Sequence, residues 1–569
     1  MTTRRAFLEQ SALAAVGLSM APAASAARAA AARPSSIPDT VFTILRPPDR
    51  LTVQTGDGYA PLAATREGRW EHADSAVSTE MTESGALAVT LRSPATPVQR
   101  LHLRWNGDLR GLRLLLGDAW ERGYGDLEWR GVVPDRVMPW YVAAWDGRIT
   151  DAYGVRTGAH ALCFWQVDRQ GISLWADVRS GGMPLRLRDR TLAVCEIISR
   201  HGHDAESPFA ALHAFCRMMC PTPRLPERPI YGANDWYWNY GNSSADKIRA
   251  ETKLLVELSP TGGNRPFSVI DDGWQPARGT DAAKTEVGRW DRGNERFPDL
   301  PGLVADIRRI GARPGIWIRP LSAPVAAPDS WRLAREHSVL DPTVPEVRQK
   351  VAADIRRLTT WGFELIKHDY TTFDLFGHWG FQMGAAVTDT GWTFAEGPIR
   401  TSAEVVDELY RTIRAAAGDT LVDGCNTVSH LSAGQFELCR IGDDTSGTAW
   451  SRTRRMGVNT LAFRGPQHGA FYAADPDCVG VTSQMPWALN RQWLDLLARS
   501  GTVLFASLAP DAVGSDERRD LRAAFATAAA PQPLGRAEDW LESTWPTRWS
   551  LMGAARAYDW IGPEGIAAV

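Results

Sequence analysis

The sequence is poor in cysteine and lacks the local motifs of several common enzyme classes. Its 569 residues include seven cysteines, which are scattered and odd in number. They indicate no dense disulfide framework, and a chain of this length does not need one to build a core. No histidine pair or Cys/His cluster has the spacing of a metal site, and no glycine-rich phosphate loop or dinucleotide fingerprint occurs. We therefore expect no metal and no organic cofactor.

A strong net charge and long apolar runs are also missing. The formal net charge is −3 at pH 7, which gives no reason to expect nucleic acid as a partner. The apolar run near the N-terminus is too short to span a bilayer. No later stretch reaches the roughly 20 apolar residues that a membrane-spanning helix needs. We therefore expect neither a nucleic-acid-binding surface nor a membrane span.

Tryptophan, by contrast, is abundant, with 24 residues in the chain. An indole ring suits sugar binding, because its flat face stacks on the C–H face of a pyranose while its N–H donates a hydrogen bond. Large cores also use tryptophan, and we expect many of these residues there. The composition is compatible with carbohydrate binding without establishing it.

The N-terminal residues are typical of an export signal. Arg4 and Arg5 precede an apolar stretch from Ala12 to Met20, and small residues at 24–26 form a cleavage pattern. Paired arginines before a modest apolar region resemble a twin-arginine signal, which exports folded proteins. We predict a signal peptide over residues 1–26, a linker over 27–38, and a mature protein that is periplasmic or secreted.

Short alternating runs of apolar and polar residues characterise residues 39–226. The run from Leu87 to Leu91 is one example, and Gly, Asp, Asn and Pro turn signals separate such runs. This pattern predicts an N-terminal β-sandwich. Within it, residues 117–126 form a polar and aromatic loop, which either reaches towards the neighbouring domain or is an ordinary long connection.

The pattern changes after a proline-rich stretch at 221–229, where apolar runs begin to alternate with helical periods. Strand signals occur at residues 230–234, 267–270, 314–318, 365–370, 420–425, 439–444, 470–472 and 502–506. Alternation of this kind predicts a (β/α)8 TIM barrel over residues 227–510. The remaining residues, 511–569, predict a short C-terminal β-rich segment. The predicted fold is therefore multidomain, with an all-β part and an α/β part.

Polar residues follow several of these strand signals. In parallel α/β barrels the chemistry lies where the strands end, so these side chains are expected to converge on one mouth. Glycoside hydrolysis needs two carboxyl groups on opposite sides of the anomeric carbon, and Asp369 and Asp444 are the evident pair. A salt-bridged Lys–Asp pair at a strand end is the structural alternative. The converging residues are Trp236, Tyr237, Asp271, Asp272, Trp317, Lys367, Asp369, Cys425, Arg440 and Asp444.

Five short motifs resemble those of glycoside hydrolase family 36, which contains α-galactosidases, α-N-acetylgalactosaminidases and raffinose synthases. The resemblance covers about residues 225 to 510, and a preceding β-sandwich also fits. The motifs are Lys367-His368-Asp369, Ile270-Asp271-Asp272-Gly273-Trp274, Gly315-Ile316-Trp317, Arg440-Ile441-Gly442-Asp443-Asp444-Thr445 and Asp475-Pro476-Asp477-Cys478.

The resemblance implies a role for each candidate residue. Asp369 matches the nucleophile, and Asp444 matches the acid/base. Asp271 and Asp272 match the pair that holds the 4- and 6-hydroxyls of a galactosyl unit. The remaining matches line the sugar subsite or contact the substrate, and they are Trp236, Trp317, Lys367, Cys425 and Arg440.

The charges expected around the pair are compatible with these roles. Lys367 would favour the ionised form of Asp369, and a negative charge on Asp443 would keep Asp444 protonated. Two residues depart from the family's pattern. His368 stands where an aromatic or aliphatic residue is usual, and Arg319 either faces the site, where it would suit an acidic sugar, or forms a salt bridge.

These observations predict a retaining, exo-acting α-glycosidase, with α-galactosidase as the first expectation and an oligosaccharide or glycan as substrate. The resemblance leaves α-N-acetylgalactosaminidase, β-L-arabinopyranosidase and α-galactosyl transglycosylase open as alternatives. A non-catalytic carbohydrate-binding protein and a structural partner in a polysaccharide complex are alternatives of other classes. The presence of both Asp369 and Asp444 argues against a binding module, since binding alone does not need the pair.

Overall fold

The computed structural model describes residues 42–56, 58–277, 287–562 and 565. These residues belong to one compact unit that begins at Phe42. The predicted signal peptide at 1–26 and the linker at 27–38 lie outside the described residues. None of the helices in the described ranges is long and apolar enough to cross a membrane.

Two antiparallel sheets form the N-terminal part. The first has the strand order β2-β1-β7-β13-β12-β9, and the second has the order β3-β4-β5-β6-β14-β11-β10-β8. The strands are β1 (Arg50–Thr55), β2 (Gly58–Pro61), β3 (Ala63–Arg66), β4 (Arg69–His72), β5 (Ser75–Met81), β6 (Leu87–Arg92), β7 (Arg100–Asn106), β8 (Leu114–Gly117), β9 (Met138–Pro139), β10 (Tyr141–Trp145), β11 (Thr150–Val155), β12 (Leu162–Asp168), β13 (Gly171–Asp177) and β14 (Thr191–Arg200).

The alternation in sequence decides which side chains of these strands are buried. In β6, Leu87, Val89 and Leu91 are buried while the residues between them are partly exposed, as a period of two requires. Trp105 and Trp165 are fully buried in the hydrophobic core that the strands share. Several tryptophans therefore fill the hydrophobic core. Core packing and sugar binding are the two uses of tryptophan that the composition allows.

A parallel sheet of nine strand segments follows, with the order β23-β22-β21-β20-β17-β16-β15-β25-β24. Its strands are β15 (Tyr231–Asn234), β16 (Phe267–Ile270), β17 (Arg313–Ile318), β20 (Leu365–His368), β21 (Leu421–Gly424), β22 (Leu438–Arg440), β23 (Ala473–Asp475), β24 (Cys478–Val481) and β25 (Leu504–Leu508), and a separate hairpin contains β18 (Arg332–Leu333) and β19 (Glu336–Leu340). The order is the one expected for a TIM-like barrel.

Helices connect these strands. They are α1 (Pro208–Met219), α2 (Trp236–Asn239), α3 (Ala245–Leu258), α4 (Leu300–Ile310), α5 (Pro345–Trp361), α6 (Thr371–Phe376), α7 (Gly380–Met383), α8 (Ser402–Ala417), α9 (Ser429–Ser432), α10 (Trp450–Thr453), α11 (Asn459–Arg464) and α12 (Trp487–Ser500), with a π-helical turn at Arg454–Val458. Side-chain caps fix the start of two of the longer ones. Ser244 accepts from Lys247 N at the start of α3, and Thr401 with Glu404 forms a capping box on α8.

The seventh strand is not where the sequence predicts it. The predicted strand at 470–472 is wrong, because Ala470 and Phe471 form a turn and the strand begins at Ala473. Pro476 and Asp477, which has a φ of 74°, then interrupt it. Before the interruption β23 pairs with β22, and after it β24 pairs with β25. The two ends of the strand order are therefore adjacent in the chain.

The C-terminal residues pack beside the barrel as a helix and a small sheet. The helix is α13 (Ser515–Ala528), and an antiparallel sheet of three strands follows it, β26 (Arg536–Ala537), β27 (Arg548–Leu551) and β28 (Ala554–Ala557). Trp549 and Trp560 are buried there, and the indole N–H of each donates to Pro546 O. The three strands lie within residues 511–569, where a short C-terminal β-rich segment is expected.

Candidate functional site

The carboxyl ends of six parallel strands carry the predicted site residues. Asp271 and Asp272 follow β16, Asp369 follows β20, and Cys425 follows β21. Because parallel strands end on the same rim of the sheet, these side chains meet there. Three further candidates lie within strands of the same sheet: Trp317 in β17, Lys367 in β20 and Arg440 in β22. Trp236 opens the short helix that follows β15.

Two hydrogen-bond donors hold the carboxylate of Asp369. Trp317 Nε1 donates to Oδ2 at 3.0 Å, and Tyr370 N donates to Oδ1 at 2.8 Å. Tyr370 has a φ of 69°, a left-handed conformation that costs a non-glycine residue about 1 kcal/mol or more. The strained conformation of Tyr370 thus positions its main-chain N–H against the carboxylate of Asp369.

Lys367 forms its ion pair with Asp271 rather than with Asp369. Its Nζ lies 2.7 Å from Asp271 Oδ2, and Asn234 Nδ2 donates to the same oxygen at 2.7 Å. Burial opposes the charge on Lys367, yet the carboxylate of Asp271 raises the lysine pKa well above its usual value, with a smaller contribution from Asp369. Lys367 was expected to stabilise the charge of Asp369, but its main interaction is the ion pair with Asp271.

Asp271 and Asp272 are held in place by their neighbours. Asp272 N donates to Asp271 Oδ1 at 2.8 Å, and Asp271 N donates to Asp235 Oδ1 at 2.8 Å. Gln275 Nε2 donates to Asp272 Oδ1 at 2.6 Å. Asp271 is buried while Asp272 is partly exposed. This arrangement presents two fixed carboxylates, which are suitable acceptors for the hydroxyl groups of a sugar.

Arg440 connects Asp444 to the interior of the sheet. Its Nη2 lies 3.5 Å from Asp444 Oδ1 and 2.9 Å from Asp477 Oδ2, while Nη1 lies 3.6 Å from Cys425 Sγ. Arg440 is fully buried, whereas 24% of the Asp444 side chain is exposed. Asp444 is thus a carboxyl group at the open side of a buried network of charges.

The surroundings of Asp443 differ from the expectation. Arg122 Nη2 lies 2.8 Å from Asp443 Oδ1, and Arg452 Nη2 lies 2.7 Å from Asp443 Oδ2. Two guanidinium ions therefore compensate the charge that was expected to keep Asp444 protonated. Asp443 cannot act as an isolated negative charge on its neighbour.

The loop at 117–126 of the β domain reaches the rim of the barrel, which decides between the two alternatives for this segment. Gly123 N donates to Ile441 O at 2.8 Å, and Asp443 N donates to Gly123 O at 2.8 Å. A Cβ on Gly123 would lie 2.8 Å from Thr460 Cγ2, and one on Gly125 would lie 2.7 Å from Arg455 O. Only glycine allows the loop to approach the helices behind the site this closely.

Arg122 was not among the predicted site residues. It is buried, its Nη1 lies 3.8 Å from Asp444 Oδ1, and the same atom lies 3.8 Å from Cys425 Sγ. The unusual composition of the loop was the one signal in the sequence that could have located it. Distance along the chain hid it, because nothing local indicates which residues of the barrel a loop of another domain contacts.

Two buried carboxyl groups lie beneath these residues. Asp423 and Asp475 belong to β21 and β23 and are buried beside a small cavity that Lys367 and Arg440 also line. Burial raises the pKa of Asp423, and the neighbouring Asp475 raises it further. Neither group was among the predicted site residues, although Asp475 begins one of the five motifs. A buried carboxyl inside a strand has no distinct local pattern that indicates its role.

Arg319 forms a salt bridge, as one of the two alternatives requires. Its Nη2 lies 2.5 Å from Asp374 Oδ1, and its guanidinium carbon lies 4.4 Å from the ring centre of Tyr370. Asp374 is fully buried. Arg319 therefore supports the turn that contains Tyr370, and its charge is compensated by Asp374.

The fold is similar to that of several solved α-galactosidases. The α-galactosidase from Thermus thermophilus, in complex with p-nitrophenyl α-D-galactopyranoside, is 17% identical with a TM-score of 0.56, and the match covers 90% of this chain and 99% of that one. A family 36 α-galactosidase from Geobacillus stearothermophilus is 15% identical with a TM-score of 0.56, and the match covers 84% and 75% of the two chains.

Sequence comparison adds nothing to these similarities. No protein-family model matches the chain, and no curated protein matches it. At the identities of the solved structures, the likeness establishes the fold, which is the fold that the resemblance to family 36 implies.

Proposed function

We propose that this chain is a glycoside hydrolase of family 36 type, a retaining and exo-acting α-glycosidase whose first candidate substrate is a terminal α-galactosyl residue. One observation carries the proposal. Asp369, held by Trp317 Nε1 and Tyr370 N, and Asp444, beside Arg440, lie on one rim of a barrel whose fold is shared with α-galactosidases.

The first step transfers the glycosyl group to the protein. Asp369 attacks the anomeric carbon and forms an ester bond, while the glycosidic C–O bond breaks and Asp444 gives its proton to the leaving oxygen. The leaving group departs as an alcohol. The two donors on Asp369 hold its carboxylate in a fixed orientation before the attack.

The second step releases the sugar. Asp444, now a carboxylate, takes a proton from water, and the oxygen of that water attacks the anomeric carbon while the bond to Asp369 breaks. Two displacements at one carbon retain its configuration. Asp444 is suited to act in both steps because part of its side chain is exposed while Arg440 stabilises its charge from the buried side.

The preference for a galactosyl unit rests on Asp271, Asp272 and Lys367. The ion pair of Lys367 with Asp271 and the bond from Gln275 to Asp272 fix three groups that can bind neighbouring hydroxyls. The resemblance to family 36 assigns the two aspartates to the 4- and 6-hydroxyls. Export to the periplasm or beyond is part of the proposal and rests on the sequence of residues 1–26 alone.

The test is release of nitrophenol from four aryl glycosides: the α-galactoside, the α-N-acetylgalactosaminide, the β-L-arabinopyranoside and the α-glucoside. We expect the wild-type protein to hydrolyse the α-galactoside fastest. Asp369→Ala should lower turnover about 1,000-fold or more, because no other group can form the ester. Asp444→Ala should lower it strongly as well, since it removes the base of the second step.

Other outcomes separate the alternatives. Preference for the N-acetylgalactosaminide or the arabinopyranoside would retain the mechanism and change the sugar. Formation of longer oligosaccharides from a natural α-galactoside would indicate transglycosylation. Turnover that both variants retain would contradict the mechanism, and a folded protein that is silent on every glycoside yet binds oligosaccharide would indicate a binding protein.

A further inference from the structure

Arg122 is a buried cation that the β domain inserts among the acidic residues of the barrel. Its Nη2 contacts Asp443 Oδ1 at 2.8 Å, and its Nη1 lies 3.8 Å from both Asp444 Oδ1 and Cys425 Sγ. The ring of Trp379 lies 5.5 Å from the guanidinium carbon, within the range of a cation–π contact. Only 4% of the Arg122 side chain is exposed.

The loop around Arg122 is fixed on both sides. After it, Gly123 forms the two main-chain bonds with the segment that contains Asp443. Before it, Glu121 accepts from Gly380 N at 2.8 Å and from Asn426 Nδ2. The guanidinium group therefore has little freedom to leave Asp444, and its position depends on the β domain.

The charged and titratable groups that face Asp444 come from four other segments. Arg122 belongs to the β domain and Arg440 to β22, while Arg452 of α10 and Tyr237 of α2 interact with Asp444 electrostatically. Asp443 precedes it in the chain and pairs with Arg122 and Arg452, and Asp477 pairs with Arg440. Of the charged groups in this set, three are positive and two are negative, so an ionised Asp444 completes a neutral cluster.

The two arginines that contact Asp444 approach the same oxygen. Both Arg122 Nη1 and Arg440 Nη2 lie nearest to Oδ1. Two guanidinium ions beside this oxygen favour the carboxylate form of Asp444. Arg440 comes from the barrel and Arg122 from the β domain, so both parts of the chain place a cation beside Asp444.

We propose that Arg122 is a positioning residue of the β domain that sets the pH range over which Asp444 can act as the acid. This inference rests on the proposed function, since it assigns a partner to the acid/base. A cation at this distance lowers the pKa of a carboxyl group, and its removal raises that pKa. Loss of Arg122 would therefore leave Asp444 protonated at higher pH and make it a weaker acid in the first step.

The experiment compares pH profiles of kcat/KM and kcat for the wild-type protein, Arg122→Gln and Arg122→Lys on the preferred aryl glycoside. The limb at high pH reports loss of the proton from Asp444 in the free protein. We expect Arg122→Gln to move this limb upward by about 1 pH unit. Arg122→Lys retains the charge but not the fork between Asp443 and Asp444, so the limb should stay within about 0.3 units while kcat falls about 10-fold or more.

Arg179→Gln is the matched control. Arg179 is also a buried arginine of the β domain with 4% of its side chain exposed, and it pairs with Asp177, which is not among the residues around Asp444. Loss of Arg179 should change the free energy of unfolding without moving the high-pH limb of the pH profile. The inference is wrong if the high-pH limb of Arg122→Gln lies at the same pH as that of Arg179→Gln. It is also wrong if Arg122→Gln fails to fold while Arg122→Lys has the same turnover as Arg179→Gln.

The same experiment separates this inference from the proposed function. A wild-type protein that hydrolyses no glycoside contradicts the proposed function before any variant is compared. A wild-type protein that is active, loses activity in Asp444→Ala and shows no effect of Arg122 beyond that of Arg179 contradicts only the role of Arg122.

Discussion

His368 lies next to the candidate nucleophile but belongs to the opposite face of β20. Its ring makes edge contacts with Tyr410 at 5.8 Å and Phe436 at 5.5 Å. It is fully buried, and neither ring nitrogen meets a hydrogen-bond partner among the described residues. Burial lowers the pKa of His368 to about 3. It therefore acts as a neutral aromatic residue, which accounts for its place at a position that is usually aromatic or aliphatic.

The residue-scale prediction concerns stability in acid. The lowered pKa means that His368 resists protonation in the folded protein. Its contribution to the free energy of unfolding is therefore complete above pH 6.5 and declines as the pH falls towards 3. His368→Phe removes the titration. Between pH 7 and pH 4.5 the wild-type protein should lose about 2 kcal/mol more unfolding free energy than the variant.

The measurement is the denaturant midpoint of both proteins at the two pH values. Any packing change caused by the larger ring is the same at both, so the difference isolates the titration. His337→Phe, at an exposed position of β19, is the control for the substitution itself. Equal losses for His368→Phe and the wild-type protein would show that His368 is already paired or protonated in the folded state.

At the scale of elements, the loop at 117–126 is the segment that joins the β domain to the site. Glu121 holds it, because its carboxylate accepts from Tyr124 OH, Gly380 N and Asn426 Nδ2. These donors come from the loop itself, from α7 and from the turn after β21. A carboxylate at this point satisfies three donors that are otherwise buried.

The element-scale prediction is that Glu121→Ala opens this loop. Three buried donors lose their acceptor, and each unsatisfied donor costs about 1–3 kcal/mol. Hydrogen exchange of peptides that cover 117–126 and 376–384 should become at least about 30-fold faster, which corresponds to about 2 kcal/mol. Glu128→Ala, at a largely exposed surface pair with Arg130, is the control. Exchange in Glu121→Ala that matches this control would show that the loop is held by its main-chain bonds alone.

The elements that the sequence predicts best are those whose apolar run is short and uninterrupted. Residues 267–270 are predicted as a strand with the bounds that the structure has, because an apolar run is a local property. The seventh strand is predicted at the wrong residues, since Phe471 and Tyr472 are buried in a turn and give the same apolar signal as a strand. Which residues pair is decided by the neighbouring strands and not by the run itself.

At the scale of the whole molecule, the candidate site is shared by two parts of the chain. Candidates at strand ends could be found from the sequence, because strand order and motif indicate one rim. The partners of those candidates could not be found, since Asp443 meets Arg122 across more than 300 residues of chain. The pairing of Lys367 with Asp271 likewise depends on how the strands close around the interior.

A buried ion pair reinforces the same junction. Arg464 of α11 contacts Asp118 of the β-domain loop at 2.9 Å, and both side chains are fully buried. Gln467 Nε2 donates to Asp118 at 2.9 Å as well. Such a pair is strongly destabilising when one partner is lost, so the β domain and the barrel are expected to depend on each other for folding as well as for the site.

In the proposed mechanism Asp369 forms a covalent bond with the sugar, and trapping that bond tests its role. The protein is incubated with the 5-fluoro glycosyl fluoride of whichever sugar it hydrolyses fastest, which slows the second step more than the first, and the digested protein is analysed by mass spectrometry. We expect a single added glycosyl group on the peptide that contains Asp369, and no such label in Asp369→Ala. A label on another carboxylate, or an active protein that inverts the anomeric configuration and forms no adduct, would show that Asp369 is not the nucleophile.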